Sequence, residues 1–230
     1  MTDLHTHILP GMDDGAQSVD EALTLLREQT KQGVTAVALT PHFYKRRESA
    51  YSFLARRQEA WIKLQEALRG KEHPDLILGA EVAWVSDMSE WPELEQLCYQ
   101  GTKTMLVELP TMPWTDGVFR ELYNLEGRRG VIPMIAHLDR YFYLQKKRDI
   151  ERILEMGYPV QVSAESLLRC FWKKQAFDLL KNYDGILISD CHNLSSRPPN
   201  LGKAMKTVEK KLGNRIARSV EKITEDILCG

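Results

Sequence analysis

The chain has 230 residues, and its 31 Lys and Arg nearly balance 32 Asp and Glu for a net charge of −1, so general attraction to nucleic acid or anionic lipid is excluded and any anion recognition must be local. One sizeable core can close at this length, which suits a single α/β domain over 1–230. No apolar run approaches the roughly 18 residues of a membrane helix, and the opening Met1-Thr2-Asp3-Leu4-His5 carries no basic region, hydrophobic core segment or cleavage site, so a cytoplasmic location is expected. Cys98, Cys170, Cys191 and Cys229 are widely spaced with no CxxC pair, which predicts reduced thiols.

Strand-like and helical runs alternate along the chain. A first strand at Thr2-Asp3-Leu4-His5 leads to Ser18-Val19-Asp20-Glu21, a capping box that opens a helix with apolar positions Ala22, Leu25 and Leu26 at helical spacing, ending by Gly33. The β-branched run 34–40 stops at Pro41-His42. Helices follow near 50–69, after Pro92 and near 116–129, each preceding a strand: 76–81, 104–108 and 131–137. Two further strands are expected at 159–163 and 185–190. Their hydrophobicity is continuous rather than alternating, as it is when a parallel sheet is covered on both faces.

Five of the six histidines close these strands, accompanied by acids: His5 and His7, His42, His137 and His192, with Asp14, Glu81, Glu108 and Asp190. Strand ends of this kind converge on one mouth in a β/α barrel, whereas an open sheet would spread them. The predicted fold is therefore a distorted (β/α) barrel of seven parallel strands with its active site at the C-terminal strand ends. His5 and His7, like Asp190 and His192, are spaced i and i+2, which puts both side chains on one strand face where they can grip one ion. A lone HxH is weak, a lone His is more often structural and a strand-end Glu is as often a loop cap; the coincidence at successive strands is what points to a metal cluster and a hydrolase. His73, in Lys71-Glu72-His73-Pro74-Asp75, reads as a loop residue.

At these motifs the chain resembles the polymerase-and-histidinol-phosphatase (PHP) superfamily, and within it the bacterial manganese-dependent protein-tyrosine phosphatases of capsule and exopolysaccharide synthesis. DLHTHILPGMDDGA, TPHF, GAEV, LVELP, IAHLDRY and SDCHNLSSRPPNL carry the resemblance nearly end to end. It implies three divalent ions, Mn²⁺ with Fe or Zn²⁺ as alternatives. His5, His7, Glu81 and Asp190 would hold one ion; Glu81 would bridge to a second, held also by Glu108 and His137; Asp14, His42 and His192 would hold the third. It further implies that Arg140 and Arg197 bind the phosphoryl group, which suits planar bidentate donors next to ligand positions. The implied partner is the phosphotyrosine tail of an autophosphorylated bacterial tyrosine kinase.

The expected reaction is in-line attack on phosphotyrosine by a metal-bridging hydroxide. A phenol, with a pKa of about 10, leaves without a strong acid; metal-bound water, Asp13 and Asp139 are the candidates for one. Cys191 to Arg197 also spells C-x₅-R, the spacing of thiolate phosphatases. That loop lacks glycine and runs into Pro198-Pro199, and Cys191 should face away from Asp190 and His192, so a thiolate mechanism is disfavoured. Phe43, Tyr44, Trp84, Trp114, Tyr141 and Phe142 could form a rim for the substrate ring or simply pack the loops, and Lys45-Arg46-Arg47 could meet an acidic tail or be a solvated charge run. A small-molecule phosphomonoesterase and a non-catalytic metal-binding module are the competing functions.

Overall fold

The computed structural model describes residues 1–169 and 173–229, the Cys229 side chain excepted. In chain order the elements are β1 (Thr2–Thr6), α1 (Val19–Lys31), β2 (Ala36–Leu39), β3 (His42–Phe43), α2 (Ala50–Leu68), β4 (Asp75–Leu78), β5 (Glu81–Ala83), β6 (Thr104–Glu108), α3 (Asp116–Arg129), β7 (Ile132–Ile135), α4 (Lys147–Glu155), β8 (Gln161–Ser163), α5 (Ala164–Leu168), α6 (Lys173–Asn182), β9 (Ile186–Ile188), α7 (Leu201–Leu212) and α8 (Asn214–Cys229). Among the described residues, no helix is long and apolar enough to cross a membrane. Cys98 and Cys191 are free and buried; Cys170 and the Cys229 side chain lie outside the described residues.

Every strand pair is parallel, in an α/β arrangement of three sheets ordered β1-β2-β4, β3-β5-β6-β7 and β8-β9. The strands expected at 34–40 and 76–81 each cross from the first sheet into the second. Pro41, which has no N–H to give a ladder, separates β2 from β3. Gly79 begins the break between β4 and β5; a Cβ there would lie 3.1 Å from the Tyr99 ring, so that ring occupies the room a side chain would need. Single bridges, Thr6 to Cys191 and Ile135 to Val160, link the sheet edges. Continuous ladders do not close a barrel among the described residues, and nine short strands stand where seven unbroken ones were expected.

Between the strands lies a small apolar cluster of Leu4, Ala38, Tyr99, Leu106, Met134, Ala136, Ile186 and Ile188, while a larger core packs the outer strand faces against the helices. Burial on both faces is what the continuous hydrophobic runs demanded. The α1 N-terminus forms as expected, with Ser18 Oγ accepting from Glu21 N at 3.2 Å, although the Glu21 carboxylate reaches back to Gln17 N rather than to the cap residue. The helix expected after Pro92 is absent. Two 3₁₀ turns, Met88–Glu90 and Leu94–Leu97, flank that proline, anchored by buried Met88, Trp91, Leu94 and Leu97, whose i, i+3 spacing matches three residues per turn.

Candidate metal centre

β1 ends by aiming two imidazoles the same way. His5 and His7 are fully buried with their Nε2 atoms 3.2 Å apart, while Thr6 between them donates backwards to Ala38 O at 2.7 Å. Glu81 Oε2, at the start of β5, lies 3.2 Å from His5 Nε2 and 3.3 Å from His7 Nε2; Asp190 Oδ1, just past β9, lies 3.5 and 3.3 Å from the same atoms. Of these four residues His5, His7 and Glu81 form a group whose donor atoms all lie within 4.8 Å of one another, and Asp190 approaches the two imidazoles from outside it. The donor set therefore fits one divalent ion.

The tautomers strengthen that fit. His5 Nδ1 is 2.8 Å from Gln161 Oε1 and His7 Nδ1 is 2.7 Å from Asp13 Oδ2, so both acceptors favour a proton on Nδ1, which in the neutral ring leaves Nε2 free for an ion. The two Nε2 atoms lie 3.2 Å apart, a separation that a shared proton or a cation between them satisfies. Glu81 Oε2 and His42 Nδ1 approach to 2.8 Å, yet neither makes a well-directed hydrogen bond, and buried His192 Nε2 also lacks one. Buried polar atoms that converge without a partner fit a shared cation between them.

Seven of the nine predicted ligand positions fall into overlapping donor groups, and His137 and Asp190 border them through Glu81 and the His5–His7 pair. His137 Nε2 lies 2.9 Å from Glu81 Oε1 and 3.9 Å from Glu108 Oε1. Asp14 Oδ1 lies 3.6 Å from His42 Nε2 and 3.5 Å from His192 Nε2. Grouped by mutual reach, the donors fall as His5, His7 and Glu81; His7, Asp14, His42 and His192; and His42, Glu81 and Glu108. His7 and His42 thus each stand within reach of two groups, an overlap that strand spacing did not indicate.

Charge in this site is concentrated and dry. Burial pulls the His5 imidazole toward neutrality, but Glu81 and Asp190 outweigh it and raise its pKa. Burial equally opposes ionisation of Glu81 and Asp190; the imidazoles, with Arg140 beside Asp190, nevertheless hold both well below the usual carboxylate range. Glu108, raised by burial and by Glu81, is the one carboxylate of the set pushed the other way. Asp190 at φ +52° and His137 at φ +30° sit in left-handed backbone, a strain of about 1–3 kcal/mol each that persists only where surroundings fix the chain.

One residue behind the ligands, Gln161, had no place among the expected site residues, and another, Asp13, takes a different place from that of a candidate acid. Gln161 is a fully buried amide in an apolar strand, and that interruption was its only signal. Asp13 Oδ2 accepts from both His7 Nδ1 and His42 N, at 2.7 and 2.8 Å, while Oδ1 accepts from Gly15 N at 2.9 Å. His7 outweighs burial and brings the Asp13 pKa down to about 2. Asp139 is likewise committed, accepting from Ser163 N at 2.9 Å and from Ser166 Oγ. Both carboxylates are held as acceptors, and the geometry gives neither the place of a proton donor to a leaving group.

The sequence matches the family described as capsular polysaccharide synthesis, CpsB/CapC, over residues 1–226. This chain belongs to the CpsB/CapC family. It is 29% identical to tyrosine-protein phosphatase CpsB of Streptococcus agalactiae, covering 96% of this chain and 94% of that protein, and 28% identical to tyrosine-protein phosphatase YwqE of Bacillus subtilis, covering 94% and 87%. A solved structure, described with YwqE from Bacillus subtilis and CpsB from Streptococcus pneumoniae as unique metal-dependent tyrosine phosphatases, superposes with a TM-score of 0.82 at 25% identity, covering 100% of this chain and 94% of that one. A β-aspartyl dipeptidase from Fervidobacterium islandicum, at TM-score 0.54 and 13% identity, shares the fold alone.

In this CpsB/CapC chain the two arginines border the cluster. Arg140 Nη2 donates to Asp190 Oδ2, and Arg197 Nη2 to Asp14 Oδ2 at 2.5 Å. The Arg197 loop is folded on Asn193, whose Oδ1 accepts from the backbone N–H of Ser195, Ser196 and Arg197. Cys191 points behind the site, fully buried, with Gln29 Nε2 3.5 Å from its sulfur. Burial, and then Asp3, push its thiol far above the ordinary range, the opposite of an activated nucleophile. Phe43, Trp114 and Tyr141 are core residues rather than rim, whereas Tyr44 remains partly exposed beside His42. Lys45 lies 5.1 Å over Trp91 and Arg47 4.6 Å over Tyr44, so this charge run is laid on aromatic faces.

Proposed function

We propose that this protein is a metal-dependent phosphotyrosine-protein phosphatase. The observation that carries the reading is the buried donor group of His5, His7 and Glu81, with Asp190 beside both imidazoles and two arginines at the border; the names of its relatives point the same way. By this reading three divalent ions, Mn²⁺ foremost, are held by His5, His7, Glu81 and Asp190; by Glu81, Glu108 and His137; and by Asp14, His42 and His192. Bound ions of this kind make water acidic enough to ionise near neutral pH and offset charge on phosphoryl oxygens.

The chain's own groups do the remainder. Arg140 and Arg197 offer planar donors to the equatorial phosphoryl oxygens, and their pairing with Asp190 and Asp14 holds them at the cluster's edge. Asp13 and Gln161 fix the donor nitrogen of His7 and His5. A phenol leaves without a strong acid, which agrees with Asp13 and Asp139 both being occupied as acceptors. We further infer a single PHP-type domain over 1–230, located in the cytoplasm, whose sheets act as the staves of a distorted seven-stranded barrel; the two linking bridges support closure. Its partner in this reading is the phosphorylated tail of a bacterial tyrosine kinase, supported by the family's tie to capsule synthesis.

Metal analysis combined with a two-substrate assay tests this. With Mn²⁺ supplied, a phosphotyrosine peptide should turn over far faster than histidinol phosphate, and metal stripping should abolish both. Preference for histidinol phosphate would assign a small-molecule phosphatase, and substantial activity in stripped protein would sink the mechanism.

A further inference from the structure

Three clefts open on residues of the metal centre, and their walls differ in chemistry. One, of about 200 Å³, joins Arg140, Asp190 and Arg197 to Arg169 and Lys203 and suits an anion. The second, of about 530 Å³, runs from Asp14 and His192 past Asp20 and Glu21, an acidic wall. The third, of about 430 Å³, runs from Asp14 and His42 past Met12, Tyr44, Arg47 and Arg56, and it alone of the three has an aromatic wall.

Tyr44 is held in place there from both sides. Its ring centroid is 5.2 Å from that of His42, with the planes 31° apart, and the Arg47 guanidinium lies 4.6 Å from the Tyr44 ring centre. Arg47 has no ion-pair partner among the described residues, whereas Arg56 is tied to Glu48 at 2.6 Å. Met12 is buried, so its thioether forms part of the cleft without being able to swing away. A positioned phenol ring, a methionine and a guanidinium without an ion pair line one part of this cleft, which also carries Asp13 and Glu48, and they favour an aromatic ring by edge, cation–π and sulfur contacts.

We propose that this cleft is the seat of the substrate's aromatic leaving group, with Tyr44 as the specificity-determining residue that ranks aryl above alkyl phosphates. The proposal rests on the phosphatase reading above and deepens it. A phosphoryl group at the arginines and metal ligands sits at the edge of this cleft, because Asp14 is shared between the Arg197 contact and the cleft wall. Arg47, at the outer end, is then available to a carboxylate on the residue beside the phosphotyrosine.

The test compares wild type, Tyr44→Ala, Tyr44→Phe and Arg47→Ala as Mn²⁺-loaded protein on a phosphotyrosine peptide and on β-glycerophosphate, with metal content measured for each. In Tyr44→Ala the ratio of kcat/KM for the peptide to that for β-glycerophosphate should fall roughly five- to tenfold, the scale of one aromatic contact, and Tyr44→Phe should restore it. Arg47→Ala should raise KM only for peptides with an acidic neighbour. An unchanged ratio in Tyr44→Ala, or a Tyr44→Phe as impaired as the alanine, overturns the proposal. Should Tyr44→Ala lose its metal, wild type still decides: phenylphosphonate must inhibit more tightly than methylphosphonate, and equal inhibition overturns the assignment. A wild type that hydrolyses neither substrate would instead refute the phosphatase reading itself.

Discussion

His5 near the end of β1 and His7 just past it, and Asp190 and His192 after β9, use the same i, i+2 spacing on neighbouring segments, yet they are fixed by different means. The two imidazoles stand on extended backbone whose register with β2 shifts between Asp3 and Thr6, fully buried, and each has an outer partner, Gln161 or Asp13. Asp190 stands past the end of β9 in left-handed backbone, held by its N–H to His5 O at 3.0 Å and by Arg140. Thr6 and Cys191, the middle residues of the two pairs, bridge to each other and stay out of the cluster. Extended backbone places a histidine's ring plane poorly and needs an orienting acceptor; strained backbone aims a short carboxylate directly but needs neighbours to hold the strain. One side of the ion is thus set by hydrogen bonds behind the ligands, the other by the chain itself.

Removing a ligand from either side should have the largest effect. His5→Ala and Asp190→Ala each remove one donor from around the His5–His7 pair, and we expect roughly a thousandfold loss of activity or more, together with lower bound metal by elemental analysis. The two should differ in stability: Asp190→Asn keeps a residue tolerant of left-handed backbone and should hold Tm while losing metal, whereas Asp190→Ala should lose both. Next comes Gly15→Ala. A Cβ there would sit 1.9 Å from His7 O, so the loop that carries Asp13 and Asp14 must move; a cost of roughly 3 kcal/mol or more should appear as a Tm lowered by about 6–12 °C.

A smaller effect isolates the orienting acceptor. In Asp13→Asn one oxygen becomes NH₂, and that group faces either the N–H donors of His7 and His42 or the N–H of Gly15. Metal affinity by chelator competition should fall roughly 10- to 100-fold with the fold intact. Because His7 and His42 both lean on Asp13, two donor groups should weaken together; loss confined to one equivalent of metal would show that the groups are independent.

Legibility followed the same division. His5, His7, Glu108 and His137, on strands or within two residues of their ends, were readable because continuous apolar runs ended at them, and spacing of two puts His5 and His7 on a common face. What bound the site together from outside the strands was not. Gln161 is a single polar residue whose partner lies 156 positions away, and no local pattern announces such a contact. Asp13 was visible but misassigned as a candidate acid, since its neighbour Asp14 has the same chemistry and only geometry separates the acceptor from the ligand candidate. The strand breaks at Pro41 and Gly79 were legible as residues, not as a transfer of chain between sheets, because that depends on Tyr99 occupying the space beside Gly79. The segment around Pro92 kept a helical apolar rhythm but folded as 3₁₀ turns, where core contacts overrode propensity.

The smallest effect belongs to Cys191, and it separates two chemistries that the C-x₅-R spacing leaves open. Cys191 lies between Asp190 and His192 in sequence but on the opposite face, against Gln29 and the buried Asp3 network that also receives Ser189 N at 3.0 Å. Burial keeps the thiol protonated, and nothing brings its sulfur to the front of the site. Cys191→Ser replaces a weak donor with a stronger one among groups that can accept it, so activity with Mn²⁺ should stay within about twofold and stability within about 1 kcal/mol. If the variant bound its full metal complement and lost all turnover, attack by sulfur would be the better account, and the orienting hydrogen bonds around His5 and His7 would serve structure instead of chemistry.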